Sequence, residues 1–267
     1  MNATLRTTVC AVSALIVAVV VAIVSTVSSV FAFVAGAATT VLVMGGTGHS
    51  LSSADTVSYV QQFVSAAVGT YVSPSSTTLR PTGIPAGPYN GVALITPEEH
   101  APDYGTLPIE ESIAQGLAAL DSCLGSNACD INQVVGSATP SASDTFVVFG
   151  YSQSATISTL EKAALAAQYG VGEGPDVSFV LIGAGNRPNG GLSSRIAPSS
   201  APLTNTQYAT VDIAVQYDGI ADAPLNPMNL LADLNAYMGM LMVHPNYMSH
   251  SLSEAGVVDQ GQYGDTT

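Results

Sequence analysis

Residues 146–157 read Phe-Val-Val-Phe-Gly-Tyr-Ser-Gln-Ser-Ala-Thr-Ile, and this stretch decides the fold. Thr145–Phe149 is an unbroken run of β-branched and aromatic residues, which predicts a strand buried on both faces. From about Gln153 to Tyr169 the composition turns helical. Between the two lies Gly150-Tyr151-Ser152-Gln153-Ser154. A serine held on so tight a turn needs small neighbours two residues to either side. Gly150 and Ser154 meet that need, with serine at the fifth position where glycine is commoner.

Strand, Gly-x-Ser-x-small, helix is the layout of the nucleophile elbow of α/β hydrolases, with Ser152 as the nucleophile. The surrounding chain agrees with such a fold. Short apolar strands are expected at Thr39–Met44, Val92–Ile95, Val177–Ile182 and Thr210–Gln216. Helices are expected at Ala54–Val68, with Asp55 as a cap, and at Ile109–Leu124 and Asn229–Val243. Strands interleaved with helices predict an α/β domain over residues 39–267, its mostly parallel sheet covered by helices on both faces. The Pro/Gly/Ser-rich stretch from Asn186 to Thr206 is long enough for a functional loop such as a lid.

A serine needs a base to activate it, and the base needs an acid to orient it. In this fold the chain order is Ser, then Asp or Glu, then His. Only His244 and His250 follow Ser152. His244 comes directly after the last expected helix and is the preferred base, with His250 in reserve. Asp218 is the first acid after the strand at 210–216 and is preferred over Asp222. The turn places the Gln153 backbone N–H and a helix N-terminus beside developing negative charge. A second oxyanion donor is expected from Gly46 or Thr47 in the glycine-rich Met44–Gly48 loop after the first strand. That loop lacks the lysine of a phosphate-binding loop and the spacing of a dinucleotide site, so no cofactor is expected.

Composition narrows the function further. The net charge is −14, with one lysine and four arginines in 267 residues, which argues against nucleic-acid binding. No Asp, Glu, Lys or Arg occurs from Thr7 to Ala54, and Val9–Val24 is almost wholly apolar behind Arg6. Residues 1–38 therefore read as a signal peptide or an N-terminal membrane anchor, with Ala35-Gly36-Ala37 fitting a cleavage site. Either alternative puts the domain outside the cytoplasm, secreted or held at the membrane. In an oxidising compartment Cys123 and Cys129 are expected to pair, closing a short loop after a helix. With four histidines, no HExxH and no Cys-x-x-Cys, no metal site is expected.

Several longer segments resemble the PE-PPE domain family of mycobacterial envelope proteins, a cutinase-like branch of the α/β hydrolases. They are VLVMGGTG at 41–48, VVFGYSQSATIST at 147–159, LIGAGNRPNGGLSSR at 181–195, TVDIAVQYDGIADAPLNPMNLLADLNA at 210–236 and VHPNY at 243–247. No PE or PPE module precedes them. The resemblance implies esterase chemistry on acyl esters, and for some members transfer of fatty acyl groups between trehalose glycolipids of the envelope. It carries the Ser–Asp–His triad over to Ser152, Asp218 and His244. Family members usually continue past a Gly-Asp-Thr-Thr like that at 264–267, so the resemblance leads to the expectation of a domain truncated at the C-terminus. The alternative function is a catalytically silent envelope protein that binds lipid or another protein through the same fold. A thioesterase acting on carrier-bound acyl chains is a third.

Overall fold

All but the last of the five strands differ from ordinary half-exposed strands in having apolar side chains on both faces. β1 (Thr39–Val43), β2 (Tyr89–Ala93), β3 (Thr145–Tyr151), β4 (Val177–Ile182) and β5 (Thr210–Ile213) form one sheet in the order β2-β1-β3-β4-β5. Every neighbouring pair is parallel. β4 is buried at all six positions, as its uninterrupted Val-Ser-Phe-Val-Leu-Ile sequence requires. The computed structural model describes residues 39–77, 82–132 and 137–267. The targeting segment expected at 1–38 lies outside the described residues.

Alternate side chains of β1 to β4 enter two cores. Leu42, Phe146, Val148, Phe179 and Leu181 meet Leu120 of α2 (Ile109–Ser126) and Ile157 and Leu165 of α3 (Gln153–Gln168). Val41, Val43, Val147, Phe149 and Val180 meet Val60, Phe63 and Val64 of α1 (Val57–Ala66). Helices thus cover both faces of an α/β sheet, as the sequence predicts. The fold reverses direction at β1: the chain leaves it through α1 on one face and returns across the other face through α2. At such a reversal the loops after the two central strands diverge and leave a crevice at the C-terminal edge of the sheet. Here those loops are the Gly45–Gly48 segment after β1 and the elbow after β3.

The element boundaries differ from the expected ones for local reasons. β2 begins at Tyr89, because Tyr89-Asn90-Gly91 pairs in register with Thr39–Val41. Gly91, a loop signal in isolation, is where α1 crosses closely; a Cβ there would sit 2.9 Å from a Val64 methyl. Asp55 does not cap α1. Its carboxylate accepts the Leu51 N–H and pairs with His49 at 2.8 Å, and the Thr56 hydroxyl caps the helix instead by accepting from the Tyr59 N–H. α1 ends in a wide π-helical turn, Ala67–Val72, which seats Tyr71 in the core. β5 stops at Ile213 because the chain turns at Val215–Asp218, with Tyr217 in the left-handed region at φ +68°. The 186–206 stretch contains a short helix, α4 (Leu192–Ile196). It is tied to the segment after β5 by the Leu192 N–H to the Ile220 carbonyl.

The last residues are part of the sheet edge. Thr210 N–H donates to the Asp265 carbonyl, Asp212 N–H to that of Thr267, and Thr267 N–H back to Thr210. Lys162 of α3 fixes this tail through a 2.6 Å ion pair with Asp265 and a 2.8 Å bond to the Thr210 hydroxyl. Burial lowers the Lys162 pKa, opposed by the bond and charge of Asp265. The tail thus pairs with part of edge strand β5.

Cys123 and Cys129 form a disulfide at the C-terminus of α2, where Asn127 ends the helix in the left-handed conformation. The bridge closes a loop of sequence separation 6. Chain entropy alone then gives about 2 kcal/mol of stabilisation. Replacing both cysteines by serine should lower the unfolding free energy by about that much in chemical denaturation, and a reducing agent should shift the unmutated protein to the same midpoint.

Candidate active site

The strand-to-helix turn forces Ser152 out of the ordinary backbone regions. Its φ is +57° and ψ −109°, an outlier for a residue with a Cβ. Its N–H is held by the Ile182 carbonyl of β4 at 3.0 Å. The small neighbours are needed as expected: a Cβ on Gly150 would lie 2.6–2.8 Å from the Ser158 hydroxyl, the Ser154 carbonyl and Ala155 Cα. Ser154 does more than fit. Its hydroxyl accepts the Tyr151 N–H at 2.8 Å and donates to the Gly45 carbonyl at 2.5 Å, tying the elbow to the glycine loop. A glycine at 154 could make neither bond.

Three residues distant in sequence meet at this turn. His244 Nε2 lies 2.8 Å from Ser152 Oγ, and His244 Nδ1 lies 2.8 Å from Asp218 Oδ2. A carboxylate accepts only, so Nδ1 carries the ring proton and the Nε2 lone pair faces the serine hydroxyl. Asp218 is fully buried. Burial is the largest single influence on it and raises its pKa. The bond and charge of His244, the Tyr247 hydroxyl and the Ile220 N–H together outweigh burial and hold it below the usual carboxylate value. His244 opens a 3₁₀ turn, His244–Ser249, immediately after α5 (Leu230–Met242).

The remaining expected residues fall into place around this group or away from it. Asp222 accepts the Tyr217 N–H at 2.9 Å and donates its own N–H to the Asp218 carbonyl, so it shapes the turn that presents Asp218. His250 pairs with Glu254 at 3.0 Å and makes no bond to Ser152 or Asp218. Gln153 occupies the first position of α3, where a backbone N–H has no partner within the helix. Its side-chain Nε2 donates to the Thr47 hydroxyl at 3.0 Å. Gly46 packs flat on the site: a Cβ there would meet the Tyr151 ring at 2.8 Å and Ser152 Cβ at 3.4 Å. Among the described residues no group of three or more His, Cys, Asp or Glu is placed to hold a metal ion.

Two tyrosines that the sequence reading did not single out complete the arrangement. Tyr247 donates its hydroxyl to Asp218 Oδ2 at 2.7 Å and accepts the Val215 N–H at 3.0 Å. Tyr151 donates to the His244 carbonyl at 2.5 Å, beside the ring itself. Tyr247 lies three residues after His244, one 3₁₀ turn on, and that spacing was the available signal.

The PE-PPE domain family matches residues 85–267. The chain belongs to the PE-PPE domain family. Three relatives from Mycobacterium tuberculosis align over most of this PE-PPE domain chain. PE family protein PE3 is 35% identical over 221 residues, 78% of this chain and 41% of that protein. The uncharacterized PPE family protein PPE28 is 36% identical over 230 residues, 82% of this chain and 31% of that one. Esterase PE16 is 35% identical over 229 residues, 80% of this chain and 36% of the esterase. The chain spans between 31% and 41% of the length of these relatives. Among solved structures, a cutinase-like protein from Cryptococcus sp. is similar at a TM-score of 0.39 and 14% identity, covering 80% of this chain and 96% of that one.

The Tyr247 hydroxyl joins a buried carboxylate to a part-buried backbone N–H, so its removal takes a partner from each. Tyr247→Phe should cost about 1–3 kcal/mol in urea unfolding. Tyr89→Phe, which loses only a bond to the Pro85 carbonyl at a part-buried position, should cost less.

Proposed function

We propose that this PE-PPE domain is a serine esterase acting on lipid acyl esters through an acyl-enzyme. The observation that carries the proposal is the pair of 2.8 Å contacts linking Ser152, His244 and Asp218 at the C-terminal edge of the sheet. His244 Nε2 removes the Ser152 proton as Oγ attacks the ester carbonyl, and Asp218 steadies the imidazolium that forms. The collapsing intermediate takes that proton from His244 and expels the alcohol. Water or another hydroxyl, deprotonated by the same nitrogen, then releases the acyl group. The Gln153 N–H at the head of α3 supports the oxyanion. The Thr47 hydroxyl already accepts from Gln153 Nε2, so its own proton is left to donate to the same oxygen.

An apolar substrate is supported by the surface beside the site. α5 leads directly into His244, and Leu230, Leu231, Leu234, Leu241 and Met242 along it are all exposed. Asp233 is the only charged residue in the helix. Such a helix is poorly accommodated by water and well matched to acyl chains. The helix lies on the backbone of the Asp218 turn, where Gly239 and Gly219 have no room for a side chain. We extend the proposal to acyl esters of envelope glycolipids of the trehalose type, with hydrolysis or transfer to a sugar hydroxyl as the outcome, on the strength of family membership and of one relative's name, esterase. The Cys123–Cys129 disulfide supports an extracytoplasmic place of work, at the membrane or secreted.

A fluorophosphonate probe should label the protein, and Ser152→Ala should abolish both labelling and ester turnover. Asp218→Asn should lower kcat/KM by about three to four orders of magnitude, whereas Asp222→Asn should change it by less than about tenfold. If Asp222→Asn alone destroys activity, the assignment of the acid is wrong. Incubation with acylated trehalose lipids followed by mass analysis separates the outcomes: free fatty acid for a hydrolase, more highly acylated lipid for a transferase.

A further inference from the structure

The buried Glu98 has no part in the chemistry above, yet it sits behind both sides of the oxyanion pocket. Its side chain is fully buried, and its backbone is left-handed at φ +52°, a strained conformation for a glutamate. The Thr96 hydroxyl donates to Oε1 at 2.8 Å across Pro97, bracing the turn from within. Oε2 has no hydrogen-bond partner among the described residues. The backbone of this turn reaches the site twice. The Glu98 carbonyl accepts the Gly48 N–H at 2.7 Å and so fixes the glycine loop that carries Thr47. The next carbonyl, that of Glu99, accepts from Gln153 Nε2 at 3.1 Å. The Glu99 N–H donates to the Ser112 hydroxyl, which in turn donates to Gln153 Oε1 at 2.7 Å, closing a ring.

We infer that Glu98 is a positioning residue for the oxyanion pocket: its buried carboxyl, braced by Thr96, holds the turn whose two carbonyls set Gly48 and Gln153. The inference rests on the esterase proposal for its catalytic consequence and on geometry alone for its structural one. A glutamine or an uncharged glutamic acid suits the site, and a carboxylate does not, because no cation faces it among the described residues. The titratable groups nearest it along the elements hydrogen-bonded to its turn are Glu99 and His100 on its own loop, the His49–Asp55 pair after the glycine loop, and Glu110 and Glu111 in the exposed first turn of α2. Glu99 is turned outward, its carboxylate accepting the Thr106 and Leu107 N–H groups. Burial pushes the Glu98 carboxyl up to about 8, against the smaller opposing effect of the Thr96 bond. The group is therefore neutral at pH 7, and charging it in alkaline solution loosens the turn.

The sign of the stability effect follows. With its folded pKa raised above the unfolded value, Glu98 favours the folded state most at low pH. That contribution is lost as pH rises from about 4.5, where the unfolded chain ionises, to about 8, where the folded site does.

The test is made on the full chain with a short-chain 4-nitrophenyl ester from pH 6 to 9.5, with thermal melting followed from pH 5 to 9.5. The unmutated protein should lose kcat through an ionisation near pH 8 with KM unchanged. Glu98→Gln should match it within about twofold at pH 7 and show no alkaline loss. Glu98→Ala should lower kcat by about tenfold to a hundredfold with little change in KM. The melting temperature of Glu98→Gln should gain on that of the unmutated protein between pH 5 and 8. An alkaline loss that persists in Glu98→Gln overturns the inference. So does a melting difference that behaves as stated while the kcat profiles coincide, since the carboxyl is then merely structural. Ser152→Ala separates the two levels: turnover surviving in it removes the esterase proposal and this inference with it. Turnover lost in Ser152→Ala but indifferent to Glu98 removes this inference alone.

Discussion

The structure turns on one backbone constraint, the left-handed Ser152 between a strand buried at its five central positions and a largely buried helix. A residue with a side chain does not rest at φ +57° unless its neighbours hold it there. β3 supplies one anchor, through pairing on both sides with β1 and β4. α3 supplies the other, with Ala155, Ile157 and Leu165 in the core. Ser154 adds a third by bonding to Gly45, so the glycine loop cannot shift without the elbow. The relative placement of the glycine loop and the Ser152 turn follows from that coupling.

Much of this was legible in the sequence because the physics that produced it is local. A fully buried parallel strand must be largely apolar, and a tight turn must have small flanking residues; Val177–Ile182 and Gly150-x-Ser152-x-Ser154 carry these marks. The residues the structure brings to Ser152, namely Asp218 and His244, follow from chain order and from lying just past an element end. Asp55 shows where local reasoning fails. A helix-capping pattern is fixed by sequence, but the competing Leu51 N–H and His49 are brought to the carboxylate by a loop, and Thr56 caps in its place.

The supporting shell was harder to read for the same reason. Tyr247, Tyr151, Ser112 and Glu98 act through hydrogen bonds whose partners lie up to 93 residues away, as with the Tyr151 hydroxyl and the His244 carbonyl. Nothing in the neighbourhood of Glu98 distinguishes it from Glu99, yet one is fully buried and the other turned out to solvent-facing N–H groups. Only the packing of the loop against α2 and the glycine segment separates two adjacent glutamates.

The ion pair between Lys162 and Asp265 has a consequence for how the domain meets its surroundings. Lys162 is the only lysine in the chain, and its side chain is 2% exposed. The folded domain therefore shows the outside no ammonium group of its own side chains. Its positive charge is confined to a few guanidinium groups and any protonated imidazole, set among nineteen acidic residues. Whatever approaches the domain is met chiefly by carboxylates, hydroxyls, amides and bare hydrocarbon.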